Sequence, residues 1–192
     1  MYSIDELPLQ DLQNFWSLLY MDFCRKICTD HPAEGETVIR RAIAETGRRQ
    51  GEWQRQEHEQ MGLNTNLHSF FLDGRGAVCD PRSAAAVHTR NTEVCLWDRY
   101  ICPMANYWAA HSAEAYGRFY CEEYMRAFLS GYTGGKGQFH LSKVLTDKRD
   151  ILCQFAAYFR PANLELEQRR KAFESTPVRQ EAPVGSFSDY IR

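Results

Sequence analysis

The spacing of the apolar residues changes part-way along the chain, and this change constrains the fold more than any other feature. Residues 7–28 predict an amphipathic helix, because their apolar side chains recur at intervals of three and four; these are Leu9, Leu12, Phe15, Trp16, Leu19, Tyr20 and Phe23. A second, more polar helical pattern covers residues 33–60. From residue 84 onward, short segments with the composition of strands take over.

The second half of the chain predicts a sheet with one long helix inserted into it. Strands are expected at 84–88, 93–102, 139–146 and 151–159. An aromatic helix is expected at 104–129, with Pro103 in its first turn and a glycine-rich loop at 130–137 after it. The order of elements predicts an α+β fold, in which N-terminal helices precede an antiparallel sheet of about four strands with the long helix packed on one face.

The length of 192 residues suits one domain with a short appendage. We expect a single domain at 1–160, with a helical part at 1–75 and a sheet-containing part at 76–160. Residues 161–192 predict a short charged helix and a polar tail, which holds too little apolar content to fold alone.

The composition of the chain argues against some kinds of binding partner. The 23 basic and 25 acidic residues nearly balance, which argues against a surface for nucleic acid or for an anionic membrane. No apolar run reaches the length of a membrane span, and the N-terminus lacks the pattern of a signal peptide. Seven cysteines without a regular framework favour free thiols in a reducing cytoplasm. The aromatic-rich helices are compatible with a homodimer.

Three cysteines in the second half are the main candidates for chemistry. Cys102 closes a predicted strand, Cys121 lies late in the long helix, and Cys153 lies in the last strand. Each alone is explained by packing, because cysteine is often buried as a small hydrophobic residue. Three elements of one compact domain can also bring the thiols around one pocket. We therefore expect Cys102 and Cys121 to be neighbours at one cavity, with Cys153 as a packing residue.

The order of these motifs resembles the L-2-amino-thiazoline-4-carboxylic acid hydrolase family, over about residues 93–160. Similar cysteine-containing segments occur in ligand-binding domains of the 4-vinyl-reductase type. The family would place an aspartate soon after the helix cysteine, where this chain has Glu122, Glu123 and Tyr124. The segments that carry the resemblance are Ile101-Cys102-Pro103, Phe119-Tyr120-Cys121-Glu122, Ser142-Lys143-Val144-Leu145-Thr146 and Cys153-Gln154-Phe155.

The resemblance implies hydrolytic opening of a small cyclic isothiourea or amidine-like ring, without a cofactor. The residues expected to be catalytic are Cys102, Cys121, Glu122 and His140, and those expected to contact substrate are Asp98, Tyr100, Glu114, Tyr120 and Ser142. Two routes stay open at this point: one thiol is the nucleophile, or the thiols shape the pocket while a carboxylate activates water. A non-catalytic binding domain and an enzyme of the same fold with different chemistry are the alternatives.

Two sequence patterns, one in the second predicted strand and one in the second predicted helix, each allow two interpretations. Strand alternation puts Asp98, Tyr100 and Cys102 on one face, which buries Asp98 if that face is the core and exposes it if the register slips by one. Gly47 and Gly51, one turn apart, either admit a close neighbour or weaken their helix.

A zinc site of three cysteines with His140 is conceivable, but no Cys-x-x-Cys pair supplies the usual close anchor. His140 follows the glycine-rich loop, where it is either an acid–base group near neutral pH or an exposed loop residue.

Overall fold

The structure is a computed structural model that describes residues 6–72 and 83–159. The predicted helix near 163–174 and the polar tail therefore lie outside the described residues, as does Cys79. Within the described part, the α+β architecture is confirmed, with helices in front of a four-stranded antiparallel sheet. None of the described helices is long and apolar enough to cross a membrane.

The described elements follow the predicted order. The first part contains helices α1 (Glu6–Asp30), α2 (Gly35–Gln60) and α3 (Leu67–Leu72). The second part contains strands β1 (Ala84–Arg90) and β2 (Val94–Ile101), helices α4 (Pro103–Ala110) and α5 (Glu114–Thr133), and strands β3 (Gln138–Lys143) and β4 (Cys153–Tyr158). The strands lie in the order β1-β2-β4-β3, so β2 and β4 form the centre of the sheet.

The single helix expected at 104–129 is wrong in its bounds, because the chain forms α4 and α5 there. A turn separates them, and in it Ser112 adopts a left-handed φ of 53°. Helix α5 then continues to Thr133, so the start of the predicted loop is helical. Gly134, with φ of 62°, ends the helix in the left-handed conformation that glycine adopts at low cost.

Of the two registers left open for β2, the structure has the one that turns Asp98 away from the helices. The core side chains are Cys95 and Trp97, with Trp97 opposite Phe155 of β4. They pack with Phe128, Leu129 and Tyr132 of α5. Because neighbouring residues of a strand point to opposite faces, Asp98 lies on the other side of the sheet. The sequence left the register open because both faces of this central strand carry apolar residues.

Helices α2 and α5 touch backbone to backbone. A Cβ atom at Gly51 would lie 2.1 Å from the carbonyl oxygen of Phe128, and one at Gly131 would lie 2.1 Å from that of Arg48. Gly47 is similarly enclosed by the α5 backbone, at 2.6 Å. Of the two roles left open for the α2 glycines, close approach is therefore the correct one.

Helix α1 is confirmed, but its buried side is not the apolar stripe that predicted it. The buried side carries Met21 and Cys24. Two hydrogen bonds fasten this side: the Tyr20 hydroxyl donates to the Tyr116 carbonyl oxygen at 2.7 Å, and Trp108 Nε1 donates to the Ser17 carbonyl oxygen at 3.1 Å. Of the stripe, Leu12, Phe15, Leu19 and Phe23 are exposed, whereas Tyr20 lies on the buried side.

We predict that Gly51→Ala destabilises the fold by about 2 kcal/mol or more, since the added methyl group overlaps the α5 backbone. The effect should exceed the gain of about 1 kcal/mol that alanine brings to an isolated helix. Chemical denaturation measures the free energy of unfolding, with the exposed α2 substitution Thr46→Ala as the matched control. A Gly51→Ala variant as stable as the unmodified chain would contradict the close packing.

Candidate functional site

The structure brings Cys102, Cys121 and Cys153 into one space between α5 and the sheet, and we call these three residues the thiol cluster. Cys102 and Cys153 both act electrostatically on the thiol of Cys121, and Cys102 also acts on Cys153. Cys102 and Cys153 are buried and Cys121 is half-buried. Cys153, which the sequence left as a packing residue, is thus a full member of the cluster.

Local structure explains how each thiol reaches this space. Cys102 is the extended residue between β2 and α4, and Pro103 starts the helix with a backbone dihedral already suited to it. Cys153 begins β4 directly opposite Arg99 of β2. The Leu145 N–H donates to the Cys153 sulfur at 3.2 Å, which fixes the orientation of this thiol.

One buried polar group beside the thiols has no hydrogen-bond partner among the described residues, namely the Nε atom of Arg99. The Thr146 hydroxyl, by contrast, hydrogen-bonds the Cys121 thiol. Both Thr146 and Arg99 lower the pKa of Cys121 against the effect of burial. An unpaired buried donor is uncommon because it costs about 1–3 kcal/mol. Arg99 Nε is therefore the group at the thiol cluster that is open to a further acceptor.

Two thiols of the cluster, those of Cys121 and Cys153, are uncharged at neutral pH. Burial raises the pKa of Cys121 far above its usual range, and Cys102 and Cys153 raise it further. Burial raises the pKa of Cys153 to about 11. Because the thiolate is the reactive form, neither residue is an activated nucleophile in this structure. Burial also raises the pKa of the neighbouring Tyr120 hydroxyl.

An aromatic wall closes the helical side of the cluster. It consists of Trp16 and Tyr20 of α1, Trp108 of α4 and Tyr120 of α5, whose rings all contact one another at centroid distances between 5.1 and 6.2 Å. Such offset and edge-to-face contacts stabilise the junction of three helices. Rings packed this closely leave no room for a ligand between them, so the wall shapes the site rather than forming one.

Glu122, next to Cys121 in the sequence, lies in an ion-pair network on α5. Its Oε2 accepts from Arg40 Nη1 at 2.7 Å and its Oε1 accepts from Arg118 Nε at 2.5 Å. Partial burial alone would raise its pKa, but the two guanidinium groups outweigh burial and lower it. Glu114 starts the same helix, where its own backbone N–H and Lys148 lower its pKa. Both carboxylates are therefore ionised and already paired.

Several other predicted site residues lie on the sheet face opposite the thiol cluster. Asp98 is only 4% exposed there, and its Oδ2 contacts His88 Nε2 at 3.0 Å. The Ser142 hydroxyl donates to Gln154 Oε1 at 3.4 Å, next to Asp98 across the sheet. His140 packs on Tyr158 with ring centroids 6.0 Å apart. Tyr100 is 46% exposed. Asp98 thus has the burial and the partner expected of it, but on a different face from the thiols.

A pocket of about 410 Å³ lies on the far side of the segment that follows β3. Its lining includes Glu122 and Ser142 of the predicted residues, together with Arg118, Leu141, Lys143, Val144, Asp147, Arg149 and Asp150. Asp147 is held by Arg149 at 2.7 Å and by Arg118 at 3.5 Å. The preceding residue, Thr146, faces Cys121 instead. One short segment therefore separates this charged pocket from the thiol cluster.

The zinc alternative does not fit this arrangement. His140 lies on the opposite face of the sheet from the thiols, so it does not complete a set of four ligands with them. Within residues 6–72 and 83–159, no group of three or more His, Cys, Asp or Glu side chains has the geometry to hold a metal ion.

Arg99 and Thr146 were missed by the sequence reasoning. Arg99 shares the core-facing side of β2 with Cys95 and Trp97, so a charged residue interrupts an apolar row three positions before Cys102. The correct register would have revealed it. Thr146 entered the sequence analysis only as the last residue of a segment that carries the resemblance; its position beside Cys121 depends on the irregular segment between β3 and β4.

Comparison of the chain with protein-family models, with curated proteins and with solved structures finds no match. The family resemblance described above therefore stays a prediction.

We predict that Cys153 in the folded chain titrates with a midpoint of about 11. This midpoint is above the value of about 8.5 for an exposed thiol, since burial disfavours the thiolate. The Cβ chemical shift of Cys153, followed by NMR against pH, measures it. The control is the same carbon in the chain unfolded by urea, which should titrate near 8.5. A folded midpoint equal to the unfolded one would contradict the burial of this thiol.

Proposed function

We propose that the thiol cluster is the binding site of a small ring that carries a carboxylate, and that the chain opens this ring by hydrolysis. The substrate class is a cyclic isothiourea or a related amidine-like ring. The observation that carries the proposal is Arg99 Nε, a buried donor without a partner among the described residues, beside three thiols.

Arg99 is the group that would hold the substrate's carboxylate. Its guanidinium stays charged at all physiological pH values and offers several N–H donors in one plane. A carboxylate accepting from Nε would satisfy a donor that is otherwise buried without a partner. Charge-assisted bonds of this kind contribute about 1.5–3 kcal/mol. An anion here would also keep Cys121 and Cys153 protonated, because it cancels the charge of Arg99 that lowers the pKa of these two thiols.

In the proposed reaction, water attacks the ring carbon between nitrogen and sulfur. The water oxygen bonds to that carbon and the carbon–sulfur bond breaks, while one proton of the water ends on the sulfur and the other on the ring nitrogen. The product carries a free thiol and a carbamoyl group on nitrogen. Arg99 and Thr146 are placed to stabilise charge that develops during the attack.

Under this proposal, some residues of the cluster line the site and others take part in the reaction. Cys121 and Cys153 only line the site, because their raised pKa values keep them protonated. Cys102 is the thiol that a covalent route would use. Asp150 lines the neighbouring charged pocket, but its charge also reaches Cys153, and we assign the activation of water to it. Its Oδ2 accepts from the Val144 N–H at 2.9 Å, which holds it in place. We assign no step to Glu122 or His140.

A non-catalytic small-molecule-binding domain is the second candidate. It is favoured by the high pKa values of Cys121 and Cys153, which are those of a protected interior rather than of an activated site. Six free cysteines among the described residues fit a reducing compartment, and we include a cytoplasmic location in the proposal.

We predict that Arg99→Met weakens binding of 2-amino-thiazoline-4-carboxylate by about 10- to 100-fold, because the carboxylate loses its charged donor. Isothermal titration calorimetry measures the affinity, and a thiol reagent measures product release. Arg41→Met, which removes an exposed arginine of α2, is the control and should bind like the unmodified chain.

The outcomes separate the two candidates. Binding with release of a thiol product supports the hydrolase, and Asp150→Asn should then lose turnover while keeping affinity. Binding without product supports the non-catalytic domain. Loss of turnover in Cys102→Ser would indicate that the Cys102 thiol, rather than water, attacks the ring carbon. Absence of binding, or equal binding by Arg99→Met, would remove the thiol cluster as the site for this substrate class.

A further inference from the structure

The charged pocket lies on the outer side of residues 144–150, whereas the proposed reaction takes place on the inner side. Its volume of about 410 Å³ falls within the range of about 300–1,000 Å³ that small-molecule sites occupy. Equal numbers of basic and acidic side chains line it, namely Arg118, Lys143 and Arg149 against Glu122, Asp147 and Asp150. A cavity with this lining suits a ligand that itself carries charges.

Two of the three carboxylates in the pocket are already used by guanidinium groups. Glu122 accepts from Arg40 through one oxygen and from Arg118 through the other. Asp147 accepts from Arg149 through both of its oxygens, and from Arg118 at 3.5 Å. A cationic group of a ligand would have to displace an arginine to reach either carboxylate. These two acidic residues therefore hold the pocket in shape and are not open to a ligand.

The other two charges of the pocket, Lys143 and Asp150, form no ion pair with any described residue. Lys143 is exposed, and its side chain makes no hydrogen bond in the described part of the chain. Asp150 is half-buried and uses only Oδ2, which accepts from the Val144 N–H at 2.9 Å. Arg149 acts on Asp150 electrostatically, but its side chain is paired with Asp147. Lys143 and Asp150 thus line one cavity with opposite charges that do not reach each other.

We propose that the charged pocket binds a small zwitterion, a molecule that carries a carboxylate at one end and a protonated amine at the other. The ligand's carboxylate accepts from Lys143 Nζ, and its ammonium group donates to Asp150 Oδ1. Such a ligand bridges two charges that the protein leaves apart. It has no net charge, in agreement with the balanced lining of the pocket. Free amino acids are the chemical class with these properties.

Both ends of the ligand are needed for binding. The two protein groups are in contact with solvent, and pairs of exposed charges change an equilibrium by about 5-fold at most. A simple anion would satisfy Lys143 alone, and a simple cation would satisfy Asp150 alone. The expected affinity of the zwitterion is therefore in the millimolar range, and that of either half is weaker. The inference does not rest on the proposed hydrolysis, in which Lys143 has no part.

A titration of the full chain with amino acids of increasing length tests the proposal. The ligands are glycine, β-alanine, γ-aminobutyrate and ε-aminohexanoate, in which the distance between the two charges grows. NMR shifts of the Val144 and Leu145 backbone amides report binding. At least one member of the series should saturate these shifts below about 50 mM, and acetate and ethylammonium, which carry one charge each, should bind more weakly.

Two substitutions test the assigned contacts with the ligand that binds best. Lys143→Met and Asp150→Asn should each weaken binding by about 5-fold, since each removes one charge; asparagine keeps an oxygen for the Val144 N–H. Lys136→Met removes an exposed lysine outside the pocket and is the matched control, which should bind like the unmodified chain. Unshifted amides outside the pocket check that each variant remains folded.

Three results would overturn the proposal. The first is a series in which no member saturates the amide shifts below about 50 mM. The second is acetate or ethylammonium binding as tightly as the best zwitterion, because one charge would then suffice. The third is an affinity that neither Lys143→Met nor Asp150→Asn lowers more than Lys136→Met does.

Discussion

The close packing of α2 on α5 is the constraint on which the rest of the structure depends. Gly51 and Gly131 let two backbones meet where any side chain would force them apart. Helix α5 is thereby held between α2 and the sheet, with Phe128, Leu129 and Tyr132 packed on Trp97 and the other core residues. The position of α5 determines where Cys121 and Tyr120 lie. The geometry of the candidate site therefore depends on the contact between α2 and α5.

The site forms where two ends of secondary-structure elements and one irregular segment of the chain meet. Cys102 stands at the change from β2 to α4, Cys153 at the start of β4, and Thr146 in the segment after β3. Arg99 brings a positive charge to their centre from the core side of the sheet. Arg99 is half-buried, and its Nε atom is buried without a partner among the described residues, which is costly unless something accepts its hydrogen bond. This cost is the physical basis of the proposed carboxylate-binding site.

Much of the fold could be predicted because periodicity is a local property of the sequence. The helices of the first half, the four strands and their antiparallel sheet all followed from it. The break at Ser112 could not be predicted, because the aromatic residues on both sides continue the same helical pattern and only a backbone dihedral divides them. The stripe of α1 predicted a helix but not which side of it would be buried, since that depends on the partners of Tyr20 and Trp108.

The candidate site was predicted only in part, for a similar reason. The convergence of the thiols could be anticipated from the order of their elements. The register of β2 could not be predicted, because apolar residues occupy both of its faces. For this reason Asp98 was named as a site residue and Arg99 was not. Glu122 is adjacent to Cys121 in the chain, yet helical geometry turns it toward Arg40 and Arg118. Contacts between distant segments decide such placements, and no local pattern encodes them.

The central claim is that Arg99 and the three thiols share one space, and the titration of Cys153 in the Arg99→Met variant tests it most directly. The charge of Arg99 lowers the pKa of Cys153 against the effect of burial. The midpoint of the Cys153 Cβ resonance, measured by NMR, should therefore rise above its value of about 11 when this charge is removed. Arg41→Met should leave it unchanged. A midpoint that is the same in Arg99→Met and in the unmodified chain would place the guanidinium outside the thiol cluster and contradict the account.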